Sequence, residues 1–143
     1  MTKNISVEAG AYFVLCLFLL LLGPKWTLSI LFAAMIHELG HIAMLWCWGK
    51  RICGIRILPF GARIDTEFLS GEEGIFCALA GPAAGLLLLF FWRWIPKVSF
   101  CALVQSGFNL LPVYPLDGGR ALRYWWEQKA VAKFRDWSYN KKD

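Results

Sequence analysis

Four long apolar runs, interrupted at only a few polar positions, set the pattern of this chain. The first extends from about Ala9 to Leu22 and stops at Gly23-Pro24. It is short for a membrane span, so it is expected to tilt with its flanks snorkelling, or to be lengthened by Ile5 and Val7. The second run, Thr27 to Trp48, is long enough to cross, and so is the third, Ile75 to Ile95, which opens near "ALAGPAAG". The fourth, Val98 to Leu111, is broken by Pro112 and Pro115. Between the second and third lies "KRICGIRILPFGARIDTEF", Lys50 to Phe68. Ile55 and Ile57 alternate there around Arg56, and Gly54, Pro59 and Gly61 punctuate the run. That predicts a short β-hairpin, with a connector lying on the membrane as the competing reading. After Arg120, the residues Leu122, Trp126, Ala130, Phe134 and Trp137 fall on one helical stripe into which Lys133 intrudes, predicting an interfacial helix on an anionic leaflet. The expected fold is therefore all-α and integral to the membrane. It has about four transmembrane helices, the hairpin after the second, and a C-terminal interfacial helix. Residues 1–126 are read as one membrane-embedded domain and 127–143 as a basic, aromatic cytoplasmic tail.

Composition supports the lipid setting, since 58% of the 143 residues are hydrophobic and 16% aromatic. The net charge of +5 would suit nucleic acid, yet its placement argues otherwise. If the loop from Gly49 to Glu73 is cytoplasmic, twelve of the 15 basic residues fall inside, leaving Lys25, Arg93 and Lys97 outside. The chain is thus expected in the cell membrane as a multi-pass protein, with both termini cytoplasmic and no nucleic-acid partner. A signal peptide competes for the first run, but Glu8 sits in its head region and no small-x-small cleavage site follows. Five cysteines form no CxxC pair, so neither a disulfide framework nor a thiolate metal site is expected.

One stretch of the second run, "FAAMIHELGHIAMLW", defies its surroundings. Ionisable groups in hydrocarbon are costly and point to function. His37 and His41 are four residues apart and share a helix face, so both imidazoles can reach one Zn²⁺, while Glu38 can reach a metal-bound water. They are the only two histidines of the chain. Catalytic zinc sites commonly use three protein ligands, and between Glu73 and Glu127 the sole acid is Asp117, in "FNLLPVYPLDGGR". Pro112 and Pro115 forbid a continuous helix there, and Gly118-Gly119 are expected to allow irregular backbone lining a wet cavity. The competing reading is an interfacial turn with a solvated Asp117.

HELGH within an apolar helix, followed by "NLLPVYPLDGGR", resembles the site-2 protease family of intramembrane zinc metalloproteases. "ILPFGARID" is similar to the branch that processes a sporulation pro-sigma factor. The resemblance implies His37, His41 and Asp117 as zinc ligands, Glu38 as catalytic glutamate and Asn109 as the asparagine that orients substrate or water. It further implies a three-helix core and cutting near the cytoplasmic side. "AGPAAG" is similar to the family's third-helix motif, although Gly85 stands where many members carry Asn, and no PDZ- or CBS-like segment is seen. The expected function is a zinc endopeptidase acting on a membrane-embedded or membrane-tethered substrate, with a regulatory membrane partner or homo-oligomer left open. The alternative is a non-proteolytic zinc-containing membrane scaffold or chaperone, for which Glu38 would have no use. A metal transporter would need polar residues along a whole path, which the spans lack.

Overall fold

The structure, a computed structural model, describes residues 4–59 and 61–140, with the side chains of the last helix as far as residue 131. Lys3 of the charge count, and Lys133, Phe134 and Trp137 of the tail stripe, therefore lie outside the described residues or side chains. The chain runs β1 (Asn4–Val7), α1 (Ala9–Cys47), β2 (Ile52–Leu58), β3 (Gly61–Thr66), α2 (Gly71–Leu87), a 3-10 turn (Leu88–Phe91), α3 (Pro96–Asn109) and α4 (Asp117–Asn140).

The first two apolar runs form one nominal helix, α1, broken at Gly23 with φ 75° and ψ 167°. That backbone region is essentially reserved for glycine, and a residue preceding proline is excluded from the helical region, so Gly23-Pro24 enforces the break. The break is a reversal. Gly10 packs so closely on Pro59 that a Cβ there would stand 2.7 Å from the proline Cγ. Glu38 accepts a hydrogen bond from the N–H of Ala62, only three residues beyond Pro59. On a straight helix Gly10 and Glu38 would be about 42 Å apart. Thus α1 folds back into two antiparallel arms. Thr27 and Ser29 turn their hydroxyls onto the carbonyls of Gly23 and Lys25, satisfying backbone groups beside the break.

Ile5 and Val7 do not extend the first helix. They alternate with Asn4 and Ser6 in β1, which pairs parallel to β2 in register Ile5 with Ile55 and Val7 with Ile57. The hairpin prediction holds for β2 and β3, antiparallel with Ile55 opposite Ile64 and Ile57 opposite Ala62, so the sheet order is β1-β2-β3 and β3 is an outer strand among the described residues. Arg56 donates twice to Asp65 across this pair, at 3.1 and 3.2 Å, and holds its carboxyl below the usual carboxylate range.

The capping box at the start of α2 is reciprocal: Ser70 N–H donates to Glu73 at 2.8 Å and the Ser70 hydroxyl accepts from the Glu73 N–H. Pro112 ends what α3 could have continued, and the next helix starts at Asp117 itself. Asp117 is therefore the first residue of α4, after the break, and the tail helix begins three residues before Arg120. Gly118 and Gly119 are helical. Their role is to let α4 approach the preceding loop, because a Cβ on either would overlap the backbone of Leu110 or of Val113 and Tyr114. The positive φ values expected for irregular backbone occur only at Gly23, Gly49 and Gly61 among the described residues.

Two small apolar clusters join the parts: Ala33, Leu88 and Ala102 at one end, and Leu45, Leu69 and Cys77 with Ile52, Ile64 and Tyr124 at the other. Most of the apolar surface instead faces outward, as at Leu20 (83% exposed) and Phe90 (79%). Among the described residues, two helical stretches are long and apolar enough to cross a membrane, α1 and Gly71–Phe91. At 14 residues, α3 is about 21 Å long, less than a hydrocarbon core.

Candidate metal centre

The second arm of α1 carries His37, Glu38 and His41 on one turn, and α4 delivers Asp117 to them across 80 residues of sequence. His37 Nε2 lies 3.0 Å from Asp117 Oδ2, His41 Nε2 lies 3.3 Å from the same oxygen, and the two Nε2 atoms are 3.2 Å apart. All three residues are buried, between 3% and 6% exposed.

These distances suit a small tetrahedral cation. Ligand bonds of about 2.0–2.1 Å to zinc place neighbouring ligand atoms roughly 3.3 Å from each other. The tautomer of His41 points the same way. Its Nδ1–H donates to the Cys77 carbonyl at 2.7 Å, which leaves a lone pair on Nε2. That lone pair faces the carboxylate oxygen of Asp117 and the Nε2 of His37. Two imidazole nitrogens and a carboxylate oxygen converging on one point suit a cation between them. Two imidazoles and one carboxylate are the donor set of catalytic zinc, so the residues present fit the ion.

α2 shapes this centre more than its sequence suggested. The glycines of AGPAAG were expected only to bring helices together, but the close α1–α2 approach is made by Gly40 of α1 against Ala80 and Ala84 of that motif. Gly81, however, underlies the His41 imidazole, and a Cβ there would overlap the ring at Nε2. Gly85 makes room for the hydroxyl of Ser106, a buried group with no hydrogen-bond partner among the described residues, so a polar role at position 85 gives way to one of space. On α4, Arg120 reaches Oδ1 of Asp117 at 3.5 Å and leaves Oδ2 to the histidines. Neither Gly81 nor Arg120 stood out beforehand, although a glycine followed by proline inside an apolar helix, weakening it twice, was a readable signal.

Glu38 stands beside the donors with its carboxylate held at 3.3 Å by the Ala62 N–H of β3. A cavity of about 950 Å³ opens on His37, Glu38, His41 and Asp117, and Asn109 lines it too, as does the whole length of β3. All five residues singled out from the sequence are thus on one cavity.

No protein-family profile matches the chain. Among curated proteins, the stage IV sporulation protein FB of Bacillus subtilis is 32% identical over 133 residues, which cover 83% of this chain and 46% of that protein. A zinc metalloprotease of Methanocaldococcus jannaschii is 32% identical over 105 residues, covering 64% of this chain and 31% of that protein. The chain therefore spans less than half the length of these relatives. The solved structure of a site-2 protease from Methanocaldococcus jannaschii superimposes with a TM-score of 0.72 at 24% identity, over 90% of this chain and 71% of that one. With its histidine pair and distant aspartate brought together, the chain has the fold of that site-2 protease and is similar in sequence to the stage IV sporulation protein FB and to a zinc metalloprotease.

Proposed function

We propose that the chain is an intramembrane zinc endopeptidase that hydrolyses a peptide bond in or near a membrane-spanning or membrane-tethered substrate. The observation that carries this reading is the convergence of His37, His41 and Asp117 within 3.3 Å, with Glu38 adjacent on an apolar helix. A purely structural metal site has no use for that carboxylate.

His37, His41 and Asp117 hold the metal, and a zinc ion bound there supplies Lewis-acid polarisation and a water acidic enough to attack at neutral pH. Glu38 takes the proton of the attacking water on its carboxylate and returns it to the leaving amine nitrogen. The Ala62 N–H fixes where that carboxylate waits. Asn109, at the last residue of α3, faces the same cavity and donates its amide to the substrate carbonyl as charge develops on the oxygen. The outer edge of β3 runs along the cavity, and a substrate unwound to an extended strand pairs with it by β-addition.

The contacts also support a four-crossing path. The reversal near Trp26 packs against Phe100 and under Lys97, so the α1 turn and the start of α3 share one end of the molecule. The sheet, Lys50 and the start of α4 gather at the other end. With that second end cytoplasmic, the site opens toward the cytoplasm and both termini lie inside. Residues 1–126 then constitute the membrane domain, and 127–143 a basic, aromatic tail on the leaflet surface.

The test is purified protein in dodecyl maltoside micelles, assayed for zinc and for cleavage of β-casein. Wild type should hold zinc and cleave. Glu38→Gln should keep its zinc and lose at least a hundredfold in rate, the scale of a general base. Cleavage that survives that substitution defeats the mechanism.

A further inference from the structure

α3 is an apolar helix that carries few polar side chains, and they differ in what they face. Ser99 donates to the carbonyl of Leu88 at 2.7 Å, and Ser106 is enclosed against Gly85. Gln105 is different. It is half-buried, lines the 950 Å³ cavity together with Glu38 and Asn109, and finds no hydrogen-bond partner among the described residues. A primary amide carries two donors and an acceptor, and this one opens onto the cavity, where a bound peptide can replace water on it.

Its position relative to Asn109 gives the amide a use. The two residues are one turn apart on α3, and four residues of helix rise about 6 Å. In an extended peptide, groups that face the same way recur every two residues, about 6.6 Å. Two amides spaced like this along one helix face match successive same-facing peptide units of a single extended strand. The strand β3 borders the same cavity as an outer strand of the sheet among the described residues; its Ala62 N–H is held by Glu38, so an extended chain there has main-chain partners farther along β3 and side-chain amides from α3.

We propose that Gln105 is a substrate-binding residue for the extended peptide backbone, accepting from one backbone N–H and donating to a backbone carbonyl two residues away from the unit that Asn109 holds. Because it reads main chain, it contributes affinity without regard to side-chain sequence. This rests on the protease reading above, and the test separates the two.

Binding is measured without turnover, by anisotropy of fluorescein-labelled β-casein with Glu38→Gln and with Glu38→Gln/Gln105→Ala in dodecyl maltoside. The double variant should bind about tenfold more weakly, as expected for losing a hydrogen-bonded pair. In the active protein, Gln105→Ala should raise KM by about the same factor with kcat within twofold and zinc content unchanged, the signature of lost ground-state binding. The isosteric Gln105→Glu, which keeps the shape and an acceptor but loses the donor, should weaken binding as well. An unchanged Kd in the anisotropy experiment overturns the clamp, as does a loss of zinc or melting temperature that accompanies the weaker binding in both variants. Failure of zinc-loaded wild type to cleave casein would overturn the protease reading instead, and leaves the binding comparison standing on its own.

Discussion

His41 is gripped on two sides, by the Cys77 carbonyl at Nδ1 and by the Cα of Gly81 beneath the ring. The second grip gives a sharp prediction. Gly81→Ala should displace the imidazole and lower bound zinc at least tenfold in chelator competition, whereas Gly107→Ala, where nothing lies within 4 Å, should leave zinc and activity intact. Equal zinc in the two variants would refute the role given to Gly81. Asp117→Ala should weaken zinc by a similar factor, because it leaves two imidazoles without the charged ligand. The histidines, Glu38 and Asp117 were legible in the sequence since ionisable residues in apolar runs have few bland explanations. Gly81 was not, because its meaning depends on which face of α1 it meets, and helix rotation is not written in either helix alone.

Among the elements, the reversal at Gly23 is the most constrained. Its φ of 75° with ψ of 167° means that Gly23→Ala should cost about 1–3 kcal/mol, and the loss should appear as earlier unfolding in a denaturant series. Ser70→Ala removes one half of a capping box and should cost about 1 kcal/mol by the same measurement. Asp65 offers a pH test. Its pKa is lowered, chiefly by the Arg56 hydrogen bonds, so the pairing is fully present above the ordinary carboxylate pKa and is lost as pH falls through the lowered one. Carbon-detected titration should find Asp65 below the usual range in wild type and back within it in Arg56→Ala. The sequence announced the β2–β3 hairpin through its alternation and its glycines. β1 carried the same period-two signal in Asn4–Val7, but the apolar run behind it suggested more helix. The start of α4 was misread for a related reason: proline marks where a helix stops, while the next start depends on how tightly glycines let the chain turn.

At the scale of the whole molecule, the proposed orientation can be checked from its ends. In a background lacking the other cysteines, Cys53 on β2 should react with a membrane-impermeant maleimide only after permeabilisation, and Lys97→Cys should react from outside the intact cell. The reverse pattern would invert the topology. Four apolar runs were legible, yet among the described residues only two helices are long and apolar enough to cross, and the proposed path through the rest is drawn from contact between turns that no run reveals. One further consequence follows from the grip on His41. α1 offers two ligands, α4 the third, and α2 supplies the carbonyl that fixes a tautomer, so the metal has nowhere to sit until three helices have met. Metal binding is thereby coupled to the packing of these helices. On the proposed reading, a chain whose helices have not yet met holds no zinc and has no catalytic centre.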